Sequence, residues 1–355
     1  MQFPYLLWAA GLAAVCVSAH PEIVDHSKIT RQHAHKDLHA RSNFCASKLE
    51  ARRESTMAKR QASFAKRQVA RGLSNGRSLA ARNMFSTIQN STCVLAPETV
   101  WGPYGIDGEL HRHDVREGQK GIDLYLDIGI IDVETCEPIP DAWFTIWACN
   151  ATGTYGGFTG IDPDTASTMD GWSTREDGTT DDETFLRGIA RTDSAGMTEF
   201  LTIFPGYYIS RTTHIHVTVQ TNVTDKDSSY SAAGVQHLGQ LFFEEDLINS
   251  VYQEAPYSAH LSTLNRTTNA EDSLYSSASG DGYSAVVSVS QLGEALSDGL
   301  VGYITIGVNT SATPAETTGG SVNVVGALPT VTPSAGAQAA AYSLDASEGY
   351  YEKKR

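Results

Sequence analysis

Residues 122–130 alternate without a break: Ile122, Leu124, Leu126, Ile128 and Ile130 fall on one side of an extended chain, and Asp123, Tyr125 and Asp127 on the other. A helix with this pattern would spread its apolar residues around its whole circumference, so the segment reads as a half-buried strand. Further short segments with turn residues between them are expected as strands at 141–149, 198–204, 213–220, 238–243, 284–289 and 300–308. That succession is the pattern of an all-β sandwich or barrel. The Gly/Asp/Thr-rich stretch 159–183 has no periodicity and is long enough to be an active-site or binding loop.

The chain of 355 residues divides by composition. Residues 1–19 contain the uncharged apolar block 5–17 followed by Ser18-Ala19, which reads as a secretory signal cut after Ala19. Residues 20–67 read as a basic pro-segment or N-terminal helical segment, residues 68–88 as a linker or helix, residues 89–310 as the sandwich, and residues 311–355 as a disordered Ala/Thr/Ser/Gly-rich tail. Lys59-Arg60 and Lys66-Arg67 are dibasic pairs of the kind that secretory-pathway proteases cut. Sequons at Asn90, Asn150, Asn222, Asn265 and Asn309 agree with secretion and glycosylation.

Charge excludes one class of partner. Residues 1–67 carry 11 Lys/Arg and 5 Asp/Glu, which leaves 15 and 36 for residues 68–355, a net charge of −21. Such a body repels a phosphate backbone, so no nucleic-acid partner is expected. No apolar run reaches the roughly 20 residues of a membrane span, and no membrane partner is expected. Without Cys16, four cysteines remain for an oxidising compartment, and the favoured pairings are Cys136–Cys149 across a hairpin and Cys45–Cys93.

The chemistry concentrates in Pro205-Gly206-Tyr207-Tyr208-Ile209-Ser210-Arg211-Thr212-Thr213-His214-Ile215-His216. In a strand His214 and His216 project to one face, a common way to present two nitrogen ligands to zinc, copper or iron. His111-Arg112-His113 has the same spacing without a tyrosine pair and reads as an ordinary surface segment. A phenol loses its proton near neutral pH only to a strong Lewis acid, so a mixed tyrosine and histidine shell favours Fe(III) over zinc. Tyr155, beyond Gly153-Thr154, is a further phenol candidate.

These segments resemble the intradiol ring-cleavage dioxygenases, and most of all their secreted fungal branch. The resemblance lies in Gly102-Pro103-Tyr104, Arg112-His113-Asp114, Cys136-Glu137-Pro138, Ile146-Trp147, Gly153-Thr154-Tyr155, Phe185-Leu186-Arg187-Gly188, Pro205-Gly206-Tyr207-Tyr208, Arg211 through His216, and Gly239-Gln240-Leu241-Phe242-Phe243. It implies an immunoglobulin- or prealbumin-like β-sandwich holding non-haem Fe(III) on Tyr155, Tyr208, His214 and His216, with Tyr207 as the alternative to Tyr208. It also implies that Arg211 and Gln240 face the ring of a catechol-type substrate, which O2 opens to a cis,cis-muconate, while Tyr208 takes up a catechol proton. Gln240 is matched across the polar insert Thr221 to Ala233. The resemblance implies a homodimer or a larger assembly, with residues 40–88 either forming a helical segment at its interface or removed. Two other readings stand beside it: a non-catalytic secreted sandwich of the same fold, and a zinc hydrolase, which would lack the His-Glu-x-x-His motif.

Overall fold

The computed structural model describes residues 62–72, 102, 104–106, 109–165, 179–221, 235–279 and 284–312, with the backbone of 223–226 and 229–232. The signal-like segment 1–19, Cys45, Cys93, the loop 166–178 and the tail beyond Ala312 lie outside the described residues. The strands are β1 (Asp123–Asp132), β2 (Trp143–Trp147), β3 (Arg187–Arg191), β4 (Met197–Ile203), β5 (His214–Gln220), β6 (Val223–Lys226), β7 (Ser229–Ala232), β8 (His237–Phe242), β9 (Ser288–Gln291) and β10 (Leu300–Val308). Four α-helices accompany them among the described residues, α1 (62–70), α2 (Glu245–Val251), α3 (Tyr257–Leu261) and α4 (Ser273–Ser279), with a 3-10 turn at Leu296–Asp298. None of the described helices is long and apolar enough to cross a membrane.

Two four-stranded sheets form, with strand orders β4-β1-β10-β9 and β3-β2-β5-β8. All pairings are antiparallel except β1 with β10. The alternation of β1 works as expected: Leu124, Leu126, Ile128 and Ile130 are buried in one core with Phe144 and Ile146 of β2 and Ile215, Val217 and Val219 of β5. Each sheet therefore turns one face inward, and the chain is an all-β sandwich.

The insert after β5 folds as a separate hairpin of β6 and β7, so it leaves the register of β8 intact. The strand expected at 284–289 begins later, at Ser288. β3 has no visible alternation, because charged residues end it and Gly188 interrupts it.

The other face of β1 is covered by α1. Phe64 packs with Leu292 and Val301, Gln68 Nε2 donates to the Leu292 carbonyl at 2.7 Å, and the Arg67 guanidinium lies 4.6 Å from the Tyr125 ring centre. Arg67 pairs with Asp127 at 3.0 Å, and Arg71 pairs with Asp123. The helix runs across the expected boundary at residue 67.

The expected Cys136–Cys149 bridge is absent: Cys149 is a free buried thiol, and Cys136 is bridged to a cysteine outside the described residues. The reason is distance. Cys136 sits in the turn before β2, whereas Cys149 lies beyond its far end, and a five-residue strand spans about 16 Å, too far for a disulfide.

Candidate metal centre and active site

The side of β5 that faces away from the core carries His214, His216 and Thr218, all buried. Strand register builds a row around His216: it pairs with Trp147 on β2 and Gln240 on β8, and Trp147 pairs in turn with Arg187 on β3. Directly paired residues share a face, so Arg187, Trp147, His216 and Gln240 line up across the whole sheet. The Trp147 ring stacks on His216 with centroids 4.9 Å apart and planes 6° apart.

Two loops bring the phenols over this row. In the loop after β2, Asn150 Oδ1 accepts from the amides of Thr152 and Thr154 at 3.0 and 3.1 Å, which tightens the turn before Tyr155. Gly153, at φ +88°, is close enough that a Cβ would strike the Tyr207 carbonyl. A Cβ on Gly206 would likewise strike the Asn150 carbonyl, to which the Gly206 amide donates at 3.2 Å. Only glycines let these two backbones touch, and their contact sets Tyr155 beside Tyr208. From the sheet, buried Arg187 donates to the carbonyls of Gly156 at 2.6 Å and Tyr104 at 3.0 Å, and pairs with Glu109 at 2.9 Å.

Four donor atoms converge. Tyr155 Oη and Tyr208 Oη each lie 3.4 Å from His214 Nε2, and His216 Nε2 lies 3.1 Å from it. His214 Nδ1 is 2.6 Å from the Thr212 carbonyl, which can only accept, so Nδ1 carries the proton and Nε2 presents its lone pair to the cluster. Burial, and then the Arg211 charge, pull the His214 imidazole down to about 3, so it is neutral at ordinary pH. Burial pushes both phenols well above the usual value near 10. It also pushes the neighbouring Cys149 thiol up to about 12.

Among the described residues no three His, Cys, Asp or Glu gather as a metal cluster. The third and fourth ligands of a cation here would have to be phenols that release protons from a buried site. This donor set fits a hard, strongly Lewis-acidic ion such as ferric iron.

Arg211 and Gln240, matched on either side of the insert, are in contact: Arg211 Nη2 donates to Gln240 Oε1 at 2.5 Å. Ser210, at φ +62°, makes the tight turn that carries Arg211 back beside Tyr208. Tyr207 points elsewhere, donating to the Leu264 carbonyl at 2.5 Å and stacking on His260. His111 and His113 are exposed.

Sequence reasoning missed Asp272, and quoted Trp147 and Tyr104 only within the resembling motifs without a place in the site. Asp272 pairs with Arg211 at 2.8 Å, and the Tyr104 ring stacks 4.4 Å from that of Tyr155. Trp147 has a readable signal, its place at the end of a strand; Asp272 only has that of an acidic residue before a short helix.

No protein-family model matches this chain, and no curated protein does. Among solved structures, an intradiol ring-cleavage dioxygenase from Tetranychus urticae is 30% identical, with a TM-score of 0.52, over 62% of this chain and 96% of its own. The chain belongs to the intradiol ring-cleavage dioxygenase family. A second solved dioxygenase is 29% identical, with a TM-score of 0.50, over 62% of this chain and 96% of its own. At family level the chemistry is therefore oxidative opening of a catechol-type ring, and the clustered tyrosines and histidines lie within an intradiol dioxygenase fold.

Proposed function

We propose that this chain is a secreted non-haem Fe(III) dioxygenase that inserts O2 between the two hydroxylated carbons of a catechol, giving a cis,cis-muconate-type product. The observation that carries this reading is the convergence of two phenol oxygens and two imidazole nitrogens at one buried point, with a guanidinium alongside. Tyr155, Tyr208, His214 and His216 would hold the metal. Ferric iron, when bound, supplies the Lewis acidity that takes a catechol as its anion and makes the ring reactive toward dioxygen.

The chain's own residues do the rest. Tyr208, which would be a phenolate while it holds the ion, takes up one of the two catechol protons at Oη, and hydroxide from solvent takes the other. Arg211, kept charged by Asp272 against the cost of burial, stabilises negative charge developing on the ring, and Gln240 steadies the guanidinium. Tyr104, Trp147, Phe158, Val235 and Leu238 form an apolar wall that excludes water and strengthens these electrostatic effects.

The signal-like residues 1–19 support release outside the cell, and a homodimer is the assembly to test. The activity test is direct. The full chain loaded with ferric iron should consume one O2 per catechol and release a muconate, followed by an oxygen electrode and ultraviolet absorbance. Iron-loaded protein that binds catechol and consumes no O2 would instead point to the non-catalytic sandwich.

A further inference from the structure

The carboxylate of Asp272 belongs to none of the strands or loops that carry the proposed ligands, yet it fastens two features of the site. Its Oδ2 accepts from Arg211 Nε at 2.8 Å and from the Thr212 amide at 2.9 Å. Its Oδ1 accepts from the amides of Leu274 and Tyr275, at 2.8 and 3.1 Å, where α4 begins. Four donors thus meet one buried carboxylate. Only an ionised acid can satisfy all of them, because an asparagine in this place would turn an NH2 group toward two donors.

Each contact leads on to the site. Held at Nε, the Arg211 guanidinium turns Nη2 to Gln240, which neighbours His216 in the sheet. The Thr212 peptide, held at its amide, offers its carbonyl to His214 Nδ1 at 2.6 Å. Thr212 Oγ1 donates to Asn269 Oδ1 at 2.8 Å, and Asn269 Nδ2 donates to the Phe243 carbonyl at 2.8 Å, which closes the frame around that peptide.

We propose that Asp272 is the positioning residue of this centre: it aims the Arg211 guanidinium and, through the Thr212 peptide, fixes His214 in the tautomer whose Nε2 lone pair faces the cluster. Asp272 touches neither metal nor substrate, and acts through these two residues. The consequence for turnover rests on the proposed function, whereas the tautomer assignment concerns the metal-free chain alone.

The test uses the full chain labelled with 15N-histidine, first without metal and then loaded with ferric iron. In the wild type, the His214 ring should appear as one tautomer, protonated at Nδ1. Asp272→Asn should give a tautomer mixture and, once loaded, lose about 10- to 100-fold in kcat with KM changed less than about 3-fold. Arg211→Met should keep the single tautomer, since the Asp272 contact to Thr212 remains, and lose kcat. Should Asp272→Asn fail to fold, Asp272→Glu, which retains the charge and shifts the carboxylate by one methylene, should show the same tautomer mixing. An Asp272 variant with the wild-type tautomer and kcat would overturn the proposal. Wild-type protein that takes up no iron would count against the proposed function and leave the tautomer measurement to decide on Asp272.

Discussion

Asp127 on β1 and Glu199 on β4 stand directly opposite each other, and the Arg67 guanidinium of α1 pairs with both. Like charges opposed across strands repel, so the helix neutralises a conflict that the sheet would otherwise hold. Arg67→Ala should cost about 3 kcal/mol, the usual penalty for stripping one partner from a buried pair, and lower the melting temperature by several degrees in calorimetry. A chain beginning at Gln68 should melt as low as this variant. Wild-type melting in both would mean that α1 contributes nothing.

The adjacent tyrosines should separate cleanly. Tyr208→Phe should bind iron, change its colour and slow turnover. Tyr207→Phe, which loses only a hydrogen bond to the Leu264 carbonyl, should keep colour and rate and lose about 1 kcal/mol of stability. The reverse pattern in visible spectra would make Tyr207 the ligand.

Arg187 joins Glu109 to the loop of Tyr155. Arg187→Met would strip the guanidinium partner from buried Glu109 and this donor from the Gly156 and Tyr104 carbonyls. Denaturant unfolding should show a loss of about 3 kcal/mol or more. A loss below about 1 kcal/mol would show that the loop holds itself.

Acid should destabilise the fold. Burial tends to raise the carboxyls of Asp132 and Asp272, but the Thr310 hydroxyl with the Thr135 and Glu134 amides at the first, and the Arg211 charge at the second, hold both below the ordinary value. A carboxylate lowered in the folded state binds fewer protons than the unfolded chain does in acid. Its contribution is complete above the unfolded value of about 3.9 and is lost as pH falls through the folded one. The urea midpoint of the metal-free protein should be lower at pH 3 than at pH 6; equal midpoints would contradict this.

The sandwich and the shared face of His214 and His216 are legible in the sequence because period-two alternation is a local property. Leu124 to Ile130 and His214 to His216 declare their faces without knowledge of any partner. What stays hidden depends on partners distant in the chain. Arg67 and Asp127 are 60 residues apart, and Arg211 and Asp272 are 61 apart, and nothing near either pair announces it. The cysteine pairing fails for a related reason: proximity in sequence suggested Cys136 with Cys149, while the length of β2 separates them. Gln240 could be matched across its insert because the hairpin of β6 and β7 leaves the strand register untouched.

The central claim is that Tyr155, Tyr208, His214 and His216 share one ferric ion. The decisive measurement is the visible spectrum of the iron-loaded full chain, alone and then with catechol in the absence of oxygen, compared with Tyr155→Phe and His214→Ala. The account predicts a tyrosinate-to-iron band that shifts when catechol is added, is altered in Tyr155→Phe, and is missing with the metal in His214→Ala. A colourless wild-type protein, or a His214→Ala protein with full iron and an unchanged band, would contradict it.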